Sequence, residues 1–120
     1  MKAMFDSNIL MDYLNKVDFA REILRQHKTR YISIVTYIEV LVGAKGAQGE
    51  IIVRGFLNKF KIVDISSKTA DLTVKLIKEF RFKSPDALIV ATSLEENMTL
   101  FTRDETLFDK FSNVVCPYQL

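Results

Sequence analysis

The chain has 120 residues, 48% of them hydrophobic, with 17 basic and 15 acidic side chains for a net charge of +2. That is one domain's length with apolar residues enough for one core; it excludes a disordered chain and argues against a duplex-coating protein, which would be far more basic. One cysteine, Cys116, and one histidine, His27, exclude an internal disulfide and leave almost no scope for structural zinc. A lone thiol fits a reducing compartment, so cytoplasm is the expected location. No apolar run approaches the roughly 20 residues of a membrane span. No leader is expected either, because Asp6 interrupts the first apolar run.

In chain order, Ala3-Met4-Phe5 predicts a short buried strand ended by Asp6. Ile9, Leu10, Met11 and Leu14 recur at helical spacing. Asp18 predicts the N-cap of a second helix, with Phe19, Ile23 and Leu24 as its apolar stripe. Arg30 to Ile34 is rich in β-formers and reads as a second strand. A helix is expected from about Thr36 to Val42, ended by Gly43-Ala44-Lys45-Gly46, and another over Ile51 to Phe60. Lys61 to Ile65 reads as a third strand. Ser67 to Phe80 reads as an amphipathic helix with Ala70, Val74, Ile77 and Phe80 inward. Ser84-Pro85 fits N-cap and N1 of a helix running to about Glu96. Thr99 to Thr102 predicts a fourth strand, Glu105 to Phe111 a short helix, and Val114-Val115-Cys116 a last strand.

Strands that alternate with helices predict an α/β fold: a parallel sheet covered on both faces in one domain over residues 1–120. Such sheets place ligands at the carboxyl ends of their strands. Asp6 closes the first strand and Asp104 follows the fourth. Glu39 falls in the first turn of the helix after strand two, and Asp86 in the first turn of the helix before strand four. All four therefore map to the carboxyl edge. Clustered carboxylates repel, and a divalent cation removes the conflict. Oxygen donors without His or Cys favour Mg²⁺ or Mn²⁺, and phosphodiester hydrolysis is the natural chemistry.

Each acid also has a bland alternative. Thr36-Tyr37-Ile38-Glu39 matches a capping box, Asp86 could simply complement a helix dipole, and Asp6 and Asp104 could each cap a helix. The coincidence of all four at one edge favours a site.

The four blocks Phe5-Asp6-Ser7-Asn8-Ile9-Leu10, Ser33-Ile34-Val35-Thr36-Tyr37-Ile38-Glu39, Asp86-Ala87-Leu88-Ile89-Val90-Ala91-Thr92 and Thr102-Arg103-Asp104 resemble the signature blocks of the PIN-domain family. The closest flavour is the VapC-type toxin of toxin–antitoxin pairs. The resemblance implies a three-layer α/β/α sandwich around a mainly parallel sheet, and an Mg²⁺- or Mn²⁺-dependent ribonuclease. It carries the catalytic acids to Asp6, Glu39, Asp86 and Asp104, with Asp6, Asp86 and Asp104 nearest the metal. Ser7 and Thr102 would orient those ligands. Many relatives carry a further acid where this chain has Leu107, so a second metal would be held more weakly. The resemblance also implies a cognate antitoxin and a homodimer.

Lys75, Lys78, Arg81 and Lys83 lead up to Asp86, interleaved with Phe80 and Phe82. Arg81 and Lys83 are candidates for flanking RNA phosphates, and Phe82, if exposed, for stacking on a base. The alternative for the lysines is a solvated helix face, and for the phenylalanines the core. Ile51–Leu57 and Leu10–Leu14 are candidate interface stretches that fit a core equally well. Two other functions compete with a ribonuclease. One is a catalytically inert PIN-like module that binds RNA or protein, motivated by Leu107 and the low net charge. The other is a phosphotransfer enzyme with an aspartyl nucleophile. Asn8, two residues after Asp6, argues against that, since such enzymes usually carry Asp-x-Asp there.

Overall fold

The structure is a computed structural model describing residues 1–120. Its elements are β1 (Lys2–Phe5), α1 (Ser7–Leu14), α2 (Asp18–Arg25), β2 (Arg30–Ser33), α3 (Ile34–Val42), α4 (Gly46–Leu57), β3 (Lys61–Val63), α5 (Ser67–Phe80), α6 (Ser84–Glu95), β4 (Met98–Phe101) and β5 (Val114–Val115). The strands form one sheet in the order β3-β2-β1-β4-β5, with every pair parallel.

Pleating of β1 and β4 divides the interior into two cores. Ala3 and Phe5 point to one face with Ile9, Leu10, Leu24, Val40, Phe56 and Leu57. Met4 points to the other, with Met98, Leu100, Leu76, Ile89 and Val90. Helices α1, α2 and α4 thus cover one face and α5 and α6 the other, while α3 touches both cores through Val40 and Val35. This is the expected three-layer sandwich. No helix is long and apolar enough to cross a membrane.

Several boundaries differ from the sequence reading for identifiable reasons. Val17, not Asp18, is the N-cap of α2, and Asp18 is its first residue, paired with Arg21 at 2.7 Å. Helix α2 buries Ala20 and Leu24, so Phe19 is exposed and stacks on Tyr118. Helix α3 begins at Ile34 because the Ser33 hydroxyl accepts the Thr36 amide. Gly46 turns the chain into α4 with φ +70°, so that helix starts five residues earlier than its apolar stretch. Lys83 is the N-cap of α6, with Ser84 and Pro85 inside its first turn. Residues 105–110 are successive turns rather than a helix. So short a stretch scarcely sustains a helix alone, and burial of Leu107 in the second core fixes it instead.

The inward face of α5 is the clearest correction. Thr69, Thr73 and Leu76 are buried, Ile77 and Phe80 partly so, whereas Ala70 and Val74 are exposed. The threonines are buried because their hydroxyls stay satisfied: Thr73 donates to the Thr69 carbonyl at 2.7 Å, and Thr69 bonds Ser66 at 2.9 Å. Leu76→Ala should therefore cost about 2–4 kcal/mol by leaving a cavity, while Val74→Ala should stay within about 0.5 kcal/mol. Chemical denaturation of both variants checks the assignment; equal costs would contradict it.

Candidate metal centre

The chain runs outward from β1 to β2 and β3, then returns to place β4 on the other side of β1. The carboxyl ends of β1 and β4 therefore flank the topological switch point, where a crevice opens. The ladder continues to that edge: the Asp6 amide donates to the Phe101 carbonyl at 2.9 Å, and the Thr102 amide to Val115 at 3.0 Å.

Asp6 is only 5% exposed. Its Oδ1 accepts the Ser7 amide at 2.8 Å as the N-cap of α1, and its Oδ2 accepts the Thr102 hydroxyl at 2.7 Å. Its capping role and its place at the crevice thus coexist. Burial pushes its pKa up, the Thr102 and Ser7 hydrogen bonds pull it down, and the Glu39 charge pushes it up again; the net direction is upward. Thr102 is fully buried and fully used, for its hydroxyl oxygen also accepts from Asn8 Nδ2 and the Asp104 amide, each at 3.1 Å.

Glu39 is the sixth residue of α3, in its second turn, not its first. The capping-box alternative fails, because Ser33 caps α3 and Glu39 points elsewhere. The Ser7 hydroxyl donates to Glu39 Oε1 at 2.8 Å and lies 3.3 Å from Asp6 Oδ1. Ser7 thus bridges the acids of two elements.

Asp86 is the third residue of α6, where the helix dipole favours a carboxylate. Burial, then the charges of Asp104 and Asp6, push its pKa up, against a smaller opposing effect of Lys83. Asp104 follows β4 and its Oδ1 accepts the Thr106 amide and hydroxyl at 3.0 and 2.7 Å. The expected cap is real, although it caps a turn.

The structure therefore brings Asp6, Glu39, Asp86 and Asp104 to one rim as electrostatic neighbours. It does not close them into a ligand set, since no three acids stand near enough to hold one ion as they are. The donor set nonetheless suits a hard cation: it is oxygen only and net negative, with the Lys83 charge acting on Asp86. Lys83 and Arg81 are both exposed between α5 and α6. Phe82 is half-buried against Phe80 and Phe111, so it belongs to the core edge and is not free to stack on a base. Leu107, 1% exposed, fills the second core, so that position supplies no acid to the rim. Asn8, Asp12 and Arg103 escaped the sequence reading as site residues. Asn8 lies in the first of the four blocks and Arg103 in the last, and Asp12 is legible only as an acid on a largely apolar helix.

The PIN domain family model matches residues 3–114. The chain belongs to the PIN-domain family. The resemblance carried by the four blocks holds, and solved structures share the whole fold. A chain of a toxin–antitoxin complex from Klebsiella pneumoniae is 37% identical at a TM-score of 0.92, covering 99% of this chain and 100% of its own. VapBC2 of Rickettsia felis, solved with a DNA fragment from its promoter, is 26% identical at a TM-score of 0.79, covering 96% of each chain. FitAcB of Neisseria gonorrhoeae shares the fold at 18% identity and a TM-score of 0.81, covering 98% of this chain and 99% of its own. No match was found among curated protein sequences.

The charge imbalance of the rim makes stability depend on pH. Because the folded protein holds the Asp86 pKa above its ordinary 3.8, its ionisation weakens the fold as pH rises through the raised value. Asp86→Asn should raise the melting temperature of chelator-treated protein near neutral pH. That gain should shrink as pH falls and vanish once the wild-type carboxyl is protonated in both states. A gain that persists in acid would point to packing instead of charge.

Proposed function

We propose that the protein is a divalent-metal-dependent endoribonuclease, the toxin of a type II toxin–antitoxin pair. The observation that carries this reading is the convergence of four acids, from β1, α3, α6 and the loop after β4, on one rim of a PIN fold. Asp6, Asp86 and Asp104 are the residues to hold Mg²⁺ or Mn²⁺. When bound, the cation supplies charge against phosphoryl oxygens and acidifies a water for attack.

The chain's own groups supply the rest. Thr102 and the Ser7 amide hold both oxygens of Asp6, so its orientation is set before any ligand arrives. Ser7 occupies one oxygen of Glu39, leaving Oε2 to accept a proton from the attacking water. Arg81 and Lys83, exposed between α5 and α6, are the cations to meet phosphates flanking the cut, and the charge of Lys83 acts on Asp86. The products of hydrolysis are two RNA fragments, one of them ending in the phosphate.

Exposed apolar side chains on α3 and α4 suit a partner protein. Of the candidate interface stretches, Val53, Phe56, Leu57 and Leu10 are core. Ile51 and Ile52 on α4 are 65% and 58% exposed, and Ile38 and Val42 on α3 are 54% and 78%. A groove lined by Met11, Leu14, Val40, Ile52 and Val53 adjoins them. Exposed apolar area on two packed helices favours burial by a protein. The Klebsiella pneumoniae and Rickettsia felis structures are complexes of the corresponding kind, which supports a cognate antitoxin as one partner; a second copy of the chain is the other.

Expression without an antitoxin should arrest growth, and RNA from arrested cells should carry new cleavage ends. Asp104→Asn should relieve the arrest and cut cleavage by the purified protein in Mn²⁺ about a hundredfold or more. A chelator should stop the wild type. Equal toxicity of the two proteins would sink the mechanism and favour an inert module acting by binding.

A further inference from the structure

Asp12 is a buried carboxylate that the rim does not use. It lies on α1 at 6% exposure. Arg103 meets it with two nitrogens, Nε at 2.6 Å and Nη2 at 2.9 Å. The Tyr118 hydroxyl donates to the same carboxylate at 2.7 Å. Tyr118 lies in the tail after β5, where its ring packs on the first core and stacks on Phe19. Three segments far apart in sequence thus meet at one carboxylate.

The importance of this cluster lies in what Arg103 is attached to. It stands between Thr102, which holds Asp6, and Asp104. Its amide donates to Asn8 Oδ1 at 3.2 Å, and Asn8 returns a bond to the Thr102 hydroxyl at 3.1 Å. That hydroxyl accepts the Asp104 amide. The segment 102–104 therefore has two supports on α1: Asn8 holds its backbone and Asp12 holds its side chain. A bidentate pair fixes orientation as well as distance. The Tyr118 hydroxyl in turn fixes the carboxylate that Arg103 grips. The segment needs such support, because Asp104 is held close to another acid, Asp86.

We propose that Tyr118, acting through Asp12 and Arg103, is a positioning residue for the acidic rim: the C-terminal tail braces the segment that presents Asp104. The proposal rests on the reading of the rim as a divalent-cation site. None of the three residues reaches the cation; they set where one ligand stands before it binds.

Tyr118→Phe removes one hydroxyl and keeps the ring, and Asp12→Asn keeps the volume. In the purified chain, both should weaken Mn²⁺ binding by calorimetry, about tenfold for Tyr118→Phe. Amide exchange at Asp104 should quicken while that of β1 stays unchanged. With RNA, kcat should fall at unchanged KM. A purely structural role would lower the melting temperature and leave Mn²⁺ affinity and Asp104 exchange unmoved in the folded protein; that outcome would overturn the brace and spare the cation site. No Mn²⁺ binding by the wild type would overturn both.

Discussion

A carboxylate buried at the end of the central strand is the constraint around which the molecule is arranged. Asp6 leaves β1 into the switch point of the sheet, and the parallel pairing of β1 with β4 puts Thr102 beside it. Burying a charge is costly unless hydrogen bonds replace its water. Here the replacements come from the first amide of α1 and from the strand on the other side. A slip in the β1–β4 register would strand that carboxylate, so the same contact that shapes the site also specifies the pairing.

The molecule handles its buried acids in two opposite ways. Asp12 is neutralised: burial opposes its charge, but the hydrogen bonds of Arg103 and Tyr118 and the charge of Arg103 outweigh it, and the pKa falls. At Asp6 and Asp86 burial first, and neighbouring like charges after it, push the pKa up. Like charges held together cost stability. Like charges left together at one rim, while Asp12 is paired with Arg103, support the proposed cation site.

The alternation of strands and helices, the parallel sheet, and the carboxyl-edge placement of Asp6, Asp86 and Asp104 were all legible in the sequence, because they follow from period and order. Glu39 was placed on the correct rim through an incorrect position in its helix. The capping box of Thr36 and Glu39 matched a pattern, but Ser33 stood one turn earlier and took the cap. Hydropathy turns the wrong face of α5 inward, because it ranks Ala70 and Val74 above Thr69 and Thr73. A threonine that bonds the preceding turn can be buried at little cost, and hydropathy does not register that bond. Phe82 reads as core by its apolar character, and the structure puts it at the core edge against Phe80 and Phe111.

The sequence by itself determined which residues could form a site: four acids, no competing ligands, and an order that sends each to the same end of a parallel sheet. It did so because strand direction and helix direction are local consequences of the chain's periodicity. Only the tertiary structure decided which hydroxyl serves which acid, that Leu107 is core, and that Arg103 is tied to Asp12 and Tyr118. The Thr102–Asp6, Arg103–Asp12 and Tyr118–Asp12 contacts join residues about 90 to 110 positions apart. They depend on distances that only packed elements define, and no local pattern in the sequence encodes them.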